Sequence, residues 1–342
     1  MRAGILVLVL LGLTARAEEP PVIPVGLDAY RRWDRWPLQR IGARTYVRST
    51  YDRRGGNEAA DASHFLYQLA DDRNVTLDLQ GPGVLCFARY NHWHGSPWHY
   101  EVDGTDYLVQ ETSTANPNQP VPGSVFLPVR AFPNPLTWTW SVTKGADLMW
   151  VPIPFERSFR MAYSHTHYGT GYYIYQCYVP GAKLSRPIRA WQDTDTPARD
   201  VLNLIARAGP DLVPAADSPV GRRLRLEARA GNLLLAPGRT NTIADVREAP
   251  SVLRALGFSV PRQQALAFGR ARLRITWDNS PHASVDVPLA LFFGAGTLYN
   301  RDNREYLVKA FPVHVRFDDR NVHLACFFPM PFFRSATIQV LS

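Results

Sequence analysis

Cysteine and lysine are both scarce in this 342-residue sequence: there are 3 cysteines, and among 38 basic residues only Lys144, Lys183 and Lys309 are lysine. Three thiols without a Cys-x-x-Cys spacing exclude a disulfide-stapled scaffold and a cysteine zinc site. No apolar run after the N-terminus approaches the roughly 20 residues that a membrane-spanning helix needs. The net charge of +8 comes from scattered arginines with no Lys/Arg cluster, so a nucleic-acid partner is not expected. Gly-x-Ser-x-Gly, phosphate-loop, dinucleotide-fingerprint and His-Glu-x-x-His patterns are all missing, which argues against the chemistries they carry, and no cofactor is expected. With 46% hydrophobic and 20% charged residues, the chain is not of disordered composition.

What is present starts with a leader. Arg2 supplies a positive end, Ile5 to Leu13 an apolar segment, and Ala15-Arg16-Ala17 a small-x-small cleavage site. Residues 1–17 therefore read as a secretory signal, with a mature chain from about Glu18 that is secreted or periplasmic and keeps no membrane span.

From Arg44 onward, short apolar or alternating runs are separated by turn residues, as in Val75 to Leu79, Val84 to Tyr90, Tyr172 to Val179, Leu273 to Trp277 and Ala336 to Leu341. This predicts an all-β protein. One helix is signalled in the middle, with Thr196 as N-cap, Pro197 at its first position, Val201, Leu204, Ile205 and Ala208 on one face, and Gly209-Pro210 as the stop.

Four landmarks occur twice in the same order. Val102-Asp103 returns as Trp277-Asp278, Val129-Arg130-Ala131-Phe132-Pro133 as Val308-Lys309-Ala310-Phe311-Pro312, and the segment Val151 to Ser158 as Phe328 to Ser335, at offsets of 175, 179 and 177 residues. A weaker match sets Asp78-Leu79 and Gly81 to Leu85 against Asp245-Val246 and Ala249 to Leu253. Such spacing implies two copies of one module, each of a size that suits a jelly-roll sandwich. The expected organisation is a signal peptide over 1–17, an N-terminal arm over 18–43, a first jelly-roll module over 44–182, a helical linker over 183–219 and a second jelly-roll module over 220–342. The Pro-x-Pro-Phe element of each copy should lie at an edge or a strand entry, because proline cannot donate to a central ladder. Cys86 and Cys177 pair if their strands are neighbours, which would leave Cys326 as a buried free thiol.

Several of these segments carry a family resemblance. Ser49 to Asn57 (Ser-Thr-Tyr-Asp-Arg-Arg-Gly-Gly-Asn), Gly81-Pro82-Gly83-Val84, Leu273 to Asp278, Pro281 with Ser284 to Pro288, Phe292-Phe293-Gly294, and Phe328 to Ala336 resemble glycoside hydrolase family 172. Its members act on difructose anhydrides and D-arabinan. The resemblance implies tandem jelly rolls, an oligo- or polysaccharide substrate, and a homo-oligomer that is a trimer or a dimer of trimers. It implies a secreted carbohydrate-active protein similar to enzymes that cleave D-fructofuranosides or D-arabinofuranosides. The family's catalytic glutamates lie in Gly-Glu-Gly-Asp and Gly-Thr-Gly-Thr/Ser-Glu-Asp-Tyr-Phe stretches downstream of the Phe-Pro-Met-Pro-Phe strand. Neither stretch occurs here, and Gly169-Thr170-Gly171-Tyr172-Tyr173 has no glutamate, so the catalytic pair carries over to no residue. The chain reads as the leading part of a family member, and the alternative function is a non-catalytic double jelly roll that binds glycan or a partner subunit.

Glycoside hydrolysis needs two carboxyl groups, one of them protonated. The candidate carboxylates are Asp52, Asp278 and Asp286. Asp52, held by Arg53 or Arg54 beside Gly55-Gly56, would accept sugar hydroxyls together with Arg53 and Asn57; otherwise the segment is a structural turn with an ion pair. Asp278 and Asp286 end apolar strands, where turn and cap roles compete with chemistry. His92, Trp93 and His94 are candidate substrate contacts, with Trp93, Trp98 and Tyr100 as a stacking platform, although a core aromatic cluster is the leading reading. His92 and His94 would face one way on a strand, as metal ligands do, and His165 and His167 form a second such pair. The distance in sequence to Glu101 departs from a cupin pattern, and no metal is assigned.

Overall fold

The computed structural model describes residues 22–38, 40–50, 65–90, 97–112, 121–163, 171–209, 212–213, 217–218, 222 and 224–342, and the backbone of 5–13. With 44% of residues in strands and 12% helical, the protein is all-β as expected. The chain forms two compact units, one of residues 20–33 and 38–206, the other of 207–342 with 1–19 and 34–37.

The strands, in chain order, begin with β1 (Ile5–Leu13), which belongs to the second unit. The first unit holds β2 (Ala43–Ser49), β3 (Tyr67–Gln68), β4 (Asn74–Gln80), β5 (Gly83–Tyr90), β6 (Trp98–Val102), β7 (Thr105–Glu111), β8 (Phe126–Leu127), β9 (Thr137–Trp138), β10 (Asp147–Met149), β11 (Ile153–Phe155), β12 (Ser158–Tyr163) and β13 (Gly171–Tyr178). They form two antiparallel sheets, β2-β13-β5-β10-β9 with β11 also on β5, and β3-β4-β12-β6-β7-β8. One core draws on both, with Leu85, Ala88 and Tyr90 of β5 against Leu77 of β4, Trp98 and Tyr100 of β6, and Phe159 and Met161 of β12. The alternation of buried and half-buried residues along β6 is what a strand with one face on a core requires. Trp98 and Tyr100 are fully buried; of the two readings of the aromatic platform, these residues take the core one.

The second unit continues with β14 (Leu226–Leu233), β15 (Thr240–Val246), β16 (Ser251–Pro261), β17 (Arg272–Trp277), β18 (Val285–Pro288), β19 (Tyr306–Lys309), β20 (Val313–Phe317), β21 (Asn321–Cys326), β22 (Met330–Phe332) and β23 (Ala336–Leu341). Its sheets are β14-β1-β16-β21-β20-β19, with β22 also on β16, and β15-β23-β17-β18. Leu256, Phe258, Leu273, Ile275, Leu324 and Ile338 share the core between them.

The sequence repeat is a structural repeat. The order β4-β12-β6-β7 in the first unit matches β15-β23-β17-β18 in the second, and β11 on β5 matches β22 on β16. Among the described strands, both Pro-x-Pro-Phe segments, β11 and β22, pair with one neighbour, as suits strands with missing N–H groups. The Ala-Phe-Pro landmark differs between copies. Val129 to Pro133 is a turn in which the N–H groups of Ala131 and Phe132 donate to the Pro128 carbonyl, whereas Val308-Lys309 lies in β19. Pro128 has no counterpart in the second copy, where Leu307 stands.

The central helix covers Arg199–Ala206, starting later than Thr196-Pro197 suggested. Val201 is its buried residue, and Gly209 adopts φ +97°, the left-handed conformation that ends helices. β5 and β13 are neighbours, yet Cys177 stands opposite Gly83, and Cys86 is the extra residue where the register slips between Ile174/Phe87 and Tyr175/Leu85. Cys177 therefore lies three residues along β5 from Cys86, too far out of register for the two to pair, and all three cysteines are free, with Cys326 buried.

Candidate functional site

The first sandwich gathers its polar interior at one strand end. In one sheet Tyr90 closes β5, with Gly171 of β13 opposite it on one side and Asp147 of β10 on the other, and Ser49 of β2 stands opposite Tyr172. In the other sheet Tyr163 closes β12 between Asn74 of β4 and Trp98 of β6. The two sheets meet here through aromatic rings: Tyr90 stacks on Trp98 at 4.1 Å between centroids, and the Tyr163 and Tyr173 hydroxyls lie 2.6 Å apart. Tyr90 and Tyr100 share a further hydroxyl contact, and the Thr76 hydroxyl donates to that of Tyr173 at 3.2 Å. Burial pushes the Tyr173 hydroxyl up to about 12 and those of Tyr90, Tyr100 and Tyr163 upward as well. The network is therefore neutral and donates hydrogen bonds at ordinary pH.

Two carboxyl groups sit in this apolar setting. Asp147 is 0% exposed and Glu111, at the end of β7, is 3% exposed. Glu111 is the register partner of Phe126, which stacks on Trp98 at 5.7 Å, and Trp98 in turn stacks on Tyr90, the register partner of Asp147. Burial first, and then the charge of Glu111, push the Asp147 carboxyl up to about 8, against the Trp140 N–H and Arg89. One oxygen of Asp147 accepts the Trp140 N–H at 2.7 Å. Its other oxygen, and the Trp98 indole N–H, are buried with no hydrogen-bond partner among the described residues. Buried polar atoms of this kind usually have a water or ligand partner. A protonated carboxyl beside a second carboxyl is the pairing from which glycosidases draw an acid and an ionised partner.

Sequence reasoning missed both groups, although a signal was there. Glu111 shares the buried phase of β7 with Val109, and Asp147 that of β10 with Met149. A carboxylate in the inward phase of an alternating strand marks either a burial cost or a function.

Asp52, Arg53 and Asn57 lie in 51–64, and His92, Trp93 and His94 in 91–96, outside the described residues, as do His165 and His167. Their anchors are nevertheless plain. Segment 51–64 follows Thr50, a buried residue whose hydroxyl accepts the Gly171 N–H at 2.9 Å, and segment 91–96 joins Tyr90 to the strand that opens at Trp98. The described residues that flank both segments, Thr50, Tyr90 and Trp98, belong to the strand end that holds Asp147 and Glu111.

Asp278 and Asp286 are elsewhere, in the second unit, and are occupied. The Asp278 carboxylate accepts the N–H groups of Phe333 and Arg334 at 2.7 Å and of Ser335 at 3.3 Å. Burial opposes its charge, but these donors outweigh burial and hold its pKa low. Asp286 is clamped by Arg272 at 2.7 Å and Arg274 at 2.9 Å, which lower its pKa. These are the turn and ion-pair roles that competed with chemistry in the sequence.

A cleft of about 910 Å³ opens at the opposite end of β5, where Val84 lines it together with Glu156, Arg186, Arg189, Gln192 and Asp195. Arg186 is held there by Asp28 at 2.6 Å. Its size is that of a small-ligand site, and among the described residues neither Asp278 nor Asp286 lines it. Among the described residues no helix is long and apolar enough to cross a membrane.

Comparison with known proteins bears on the second unit. No curated protein matches the chain. Residues 225–342 match the family model described as GH172 domain-like, so the second sandwich, β14 through β23, is similar to the domain of a carbohydrate-active family and carries the resemblance first read from its motifs.

Proposed function

We propose that this chain is an exported carbohydrate-active protein that recognises a furanoside, a D-fructofuranoside or D-arabinofuranoside, at the Asp147–Glu111 end of its first sandwich. The observation that carries the reading is the GH172-like second sandwich, of which the first is a structural repeat. Asp52, Arg53, Asn57, His92, Trp93 and His94 supply contacts to the sugar from the two segments tethered there. As a hydrolase the protein would use the protonated Asp147 to assist the leaving oxygen, with Glu111 as the second carboxyl group. The assembly is a homotrimer or a dimer of trimers, which native mass spectrometry reads directly.

The second reading is binding without turnover, as a glycan-binding or partner-subunit protein. It is favoured by the full burial of Asp147 and by the structural occupation of Asp278 and Asp286. One set of measurements separates the two. The purified chain is assayed for release of nitrophenol from nitrophenyl furanosides and for heat of binding to fructo- and arabino-oligosaccharides. Turnover that Asp147→Asn abolishes and Asp52→Ala weakens establishes the hydrolase. Binding lost in Asp52→Ala with no turnover in any variant establishes the binding protein, and neither binding nor turnover sinks the proposal.

A further inference from the structure

The repeat extends to the large sheets, with one exchange. In the first unit β13 lies between β2 and β5, antiparallel to both. In the second unit β14 and β16 stand where β2 and β5 do, each preceding the strands that match, β15 for β4 and β22 for β11. The place of β13 between them is taken by β1, from the other end of the sequence. β13 is the strand that follows β12, whereas β1 precedes its sheet partners by more than two hundred residues. β1 has the polarity of β13, antiparallel to both neighbours, with Leu8 opposite Ala230 and Gly257 and Val9 opposite Arg229 and Leu256. Its ladders run from Ile5 to Gly12 along β14 and from Leu6 to Leu13 along β16.

This slot is essential to the sheet. β14 pairs with β1 and with no other described strand, and β16 from Ser251 to Ser259 has β1 along one whole side. Removing β1 would leave two facing rows of backbone N–H and C=O groups without partners, a template for strand addition. On the export reading, on which this inference rests, residues 5–13 leave with the signal peptide. The new N-terminus cannot replace them: Glu18-Glu19-Pro20-Pro21 sets two like charges beside two residues without N–H groups. Residues Pro20–Trp33 also belong to the first unit.

We propose that in the exported protein the slot between β14 and β16 accepts an extended apolar strand of about nine residues from another protein chain, by strand addition. The bound geometry is the one residues 5–13 display, antiparallel to both β14 and β16. The partner is identified by chemistry: a segment of alternating or continuous aliphatic residues without proline, able to bond on both edges.

The test compares the full chain with the chain starting at Glu18, using as probe a synthetic peptide of residues 4–14 with a lysine tail. A second peptide carries Leu8→Pro, which removes a ladder donor without adding a charge or a polar side chain. The expected result is that the shortened chain binds the first peptide at least tenfold more tightly than the second, and that the full chain binds neither. Hydrogen exchange should show amides of Leu226–Leu233 and Ser251–Ser259 fast in the shortened chain and slowed by the first peptide. Amides already as slow in the shortened chain as in the full chain would mean that the sheet closes on itself and would overturn the proposal, as would equal binding of both peptides. Should the shortened chain fail to fold, Leu8→Pro in the full chain must speed exchange at those two strands while the first sandwich stays unchanged; no change there also overturns it. Sequencing the N-terminus of the exported protein tests the export reading separately, since a retained Met1 would refute export processing without touching the peptide result.

Discussion

Asp103 and Asp278, 175 residues apart, make the same set of bonds. Each has a left-handed backbone, φ +52° and +56°. Each carboxylate accepts three successive backbone N–H groups, those of Glu156, Arg157 and Ser158 at 2.9, 2.6 and 2.8 Å for Asp103, and those of Phe333, Arg334 and Ser335 for Asp278. Each also donates its own N–H to the carbonyl of the serine, Ser158 at 2.9 Å and Ser335 at 2.8 Å. An aspartate tolerates the left-handed region and satisfies a turn's unpaired donors at once, which is why the same residue punctuates both copies.

Replacing either aspartate by alanine leaves three N–H groups without their charged acceptor. Each of Asp103→Ala and Asp278→Ala should cost about 1–2 kcal/mol, the part of a charged hydrogen bond's value left after solvent competition, and asparagine should cost less. Both carboxylates have lowered pKa values in the fold, so their contribution is present above the ordinary carboxylate value and lost as pH falls through the folded one. Urea titrations at pH 7 and pH 3 check this, and equal stability of wild type and alanine variants at pH 7 would refute the shared role.

Asp147 has the opposite sign. With its pKa raised to about 8, the folded state holds a proton that the unfolded chain has released above about pH 4. Stability should therefore fall as pH rises from about 4 to 8 on account of this residue. Asp147→Asn keeps an oxygen for the Trp140 N–H and should raise the melting temperature at pH 8 more than at pH 4. A uniform shift at both pH values would mean that the carboxyl is ionised in the fold.

His314 provides a pH response in the second unit. Burial, with His323 and Arg316 nearby, pushes its pKa down to about 4, and its ring lies 5.8 Å from that of Phe327. The unfolded chain takes up this proton near pH 6.5 and the folded one only near 4, so stability from His314 is lost as pH falls across that window. His314→Phe should flatten the stability profile between pH 6.5 and 4; an unchanged slope would assign it to another group.

The thiols should stay unreactive and unpaired. Burial pushes Cys86 to about 12 and Cys326 to about 11, and raises Cys177, so little thiolate exists at pH 8. Alkylation without reductant should modify slowly in the native protein and reach three sites once it is unfolded. Only one modified site in the unfolded, unreduced protein would reveal a disulfide and a different register at the Cys86 bulge.

Much of this was legible in the residues. The alternation of β6, β21 and β23, the central helix that stops before Gly209 and the left-handed backbone of Asp103 and Asp278 are local patterns, in which spacing and a few side chains dictate the backbone. The carboxyl pair was not legible as a pair. Glu111 and Asp147 are distant in sequence, and only the packing of β7 and β10 around Tyr90 and Trp98 brings them into one apolar setting. The bulge at Cys86 was hidden for a related reason, since register is set by the neighbouring strand and not by the cysteine.

The sequence by itself determined the strand content, the repeat and the left-handed positions of the two aspartates, because these rest on periods of a few residues and on the backbone preferences of single side chains. Only the tertiary structure decided which strands share a ladder, that Asp278 and Asp286 are held by backbone and arginine, that Asp147 is starved of water, and that Ile5–Leu13 stands in the place of β13. Those outcomes depend on backbone groups finding partners and on charge losing solvent, which are properties of the packed sandwich and of no short stretch of chain.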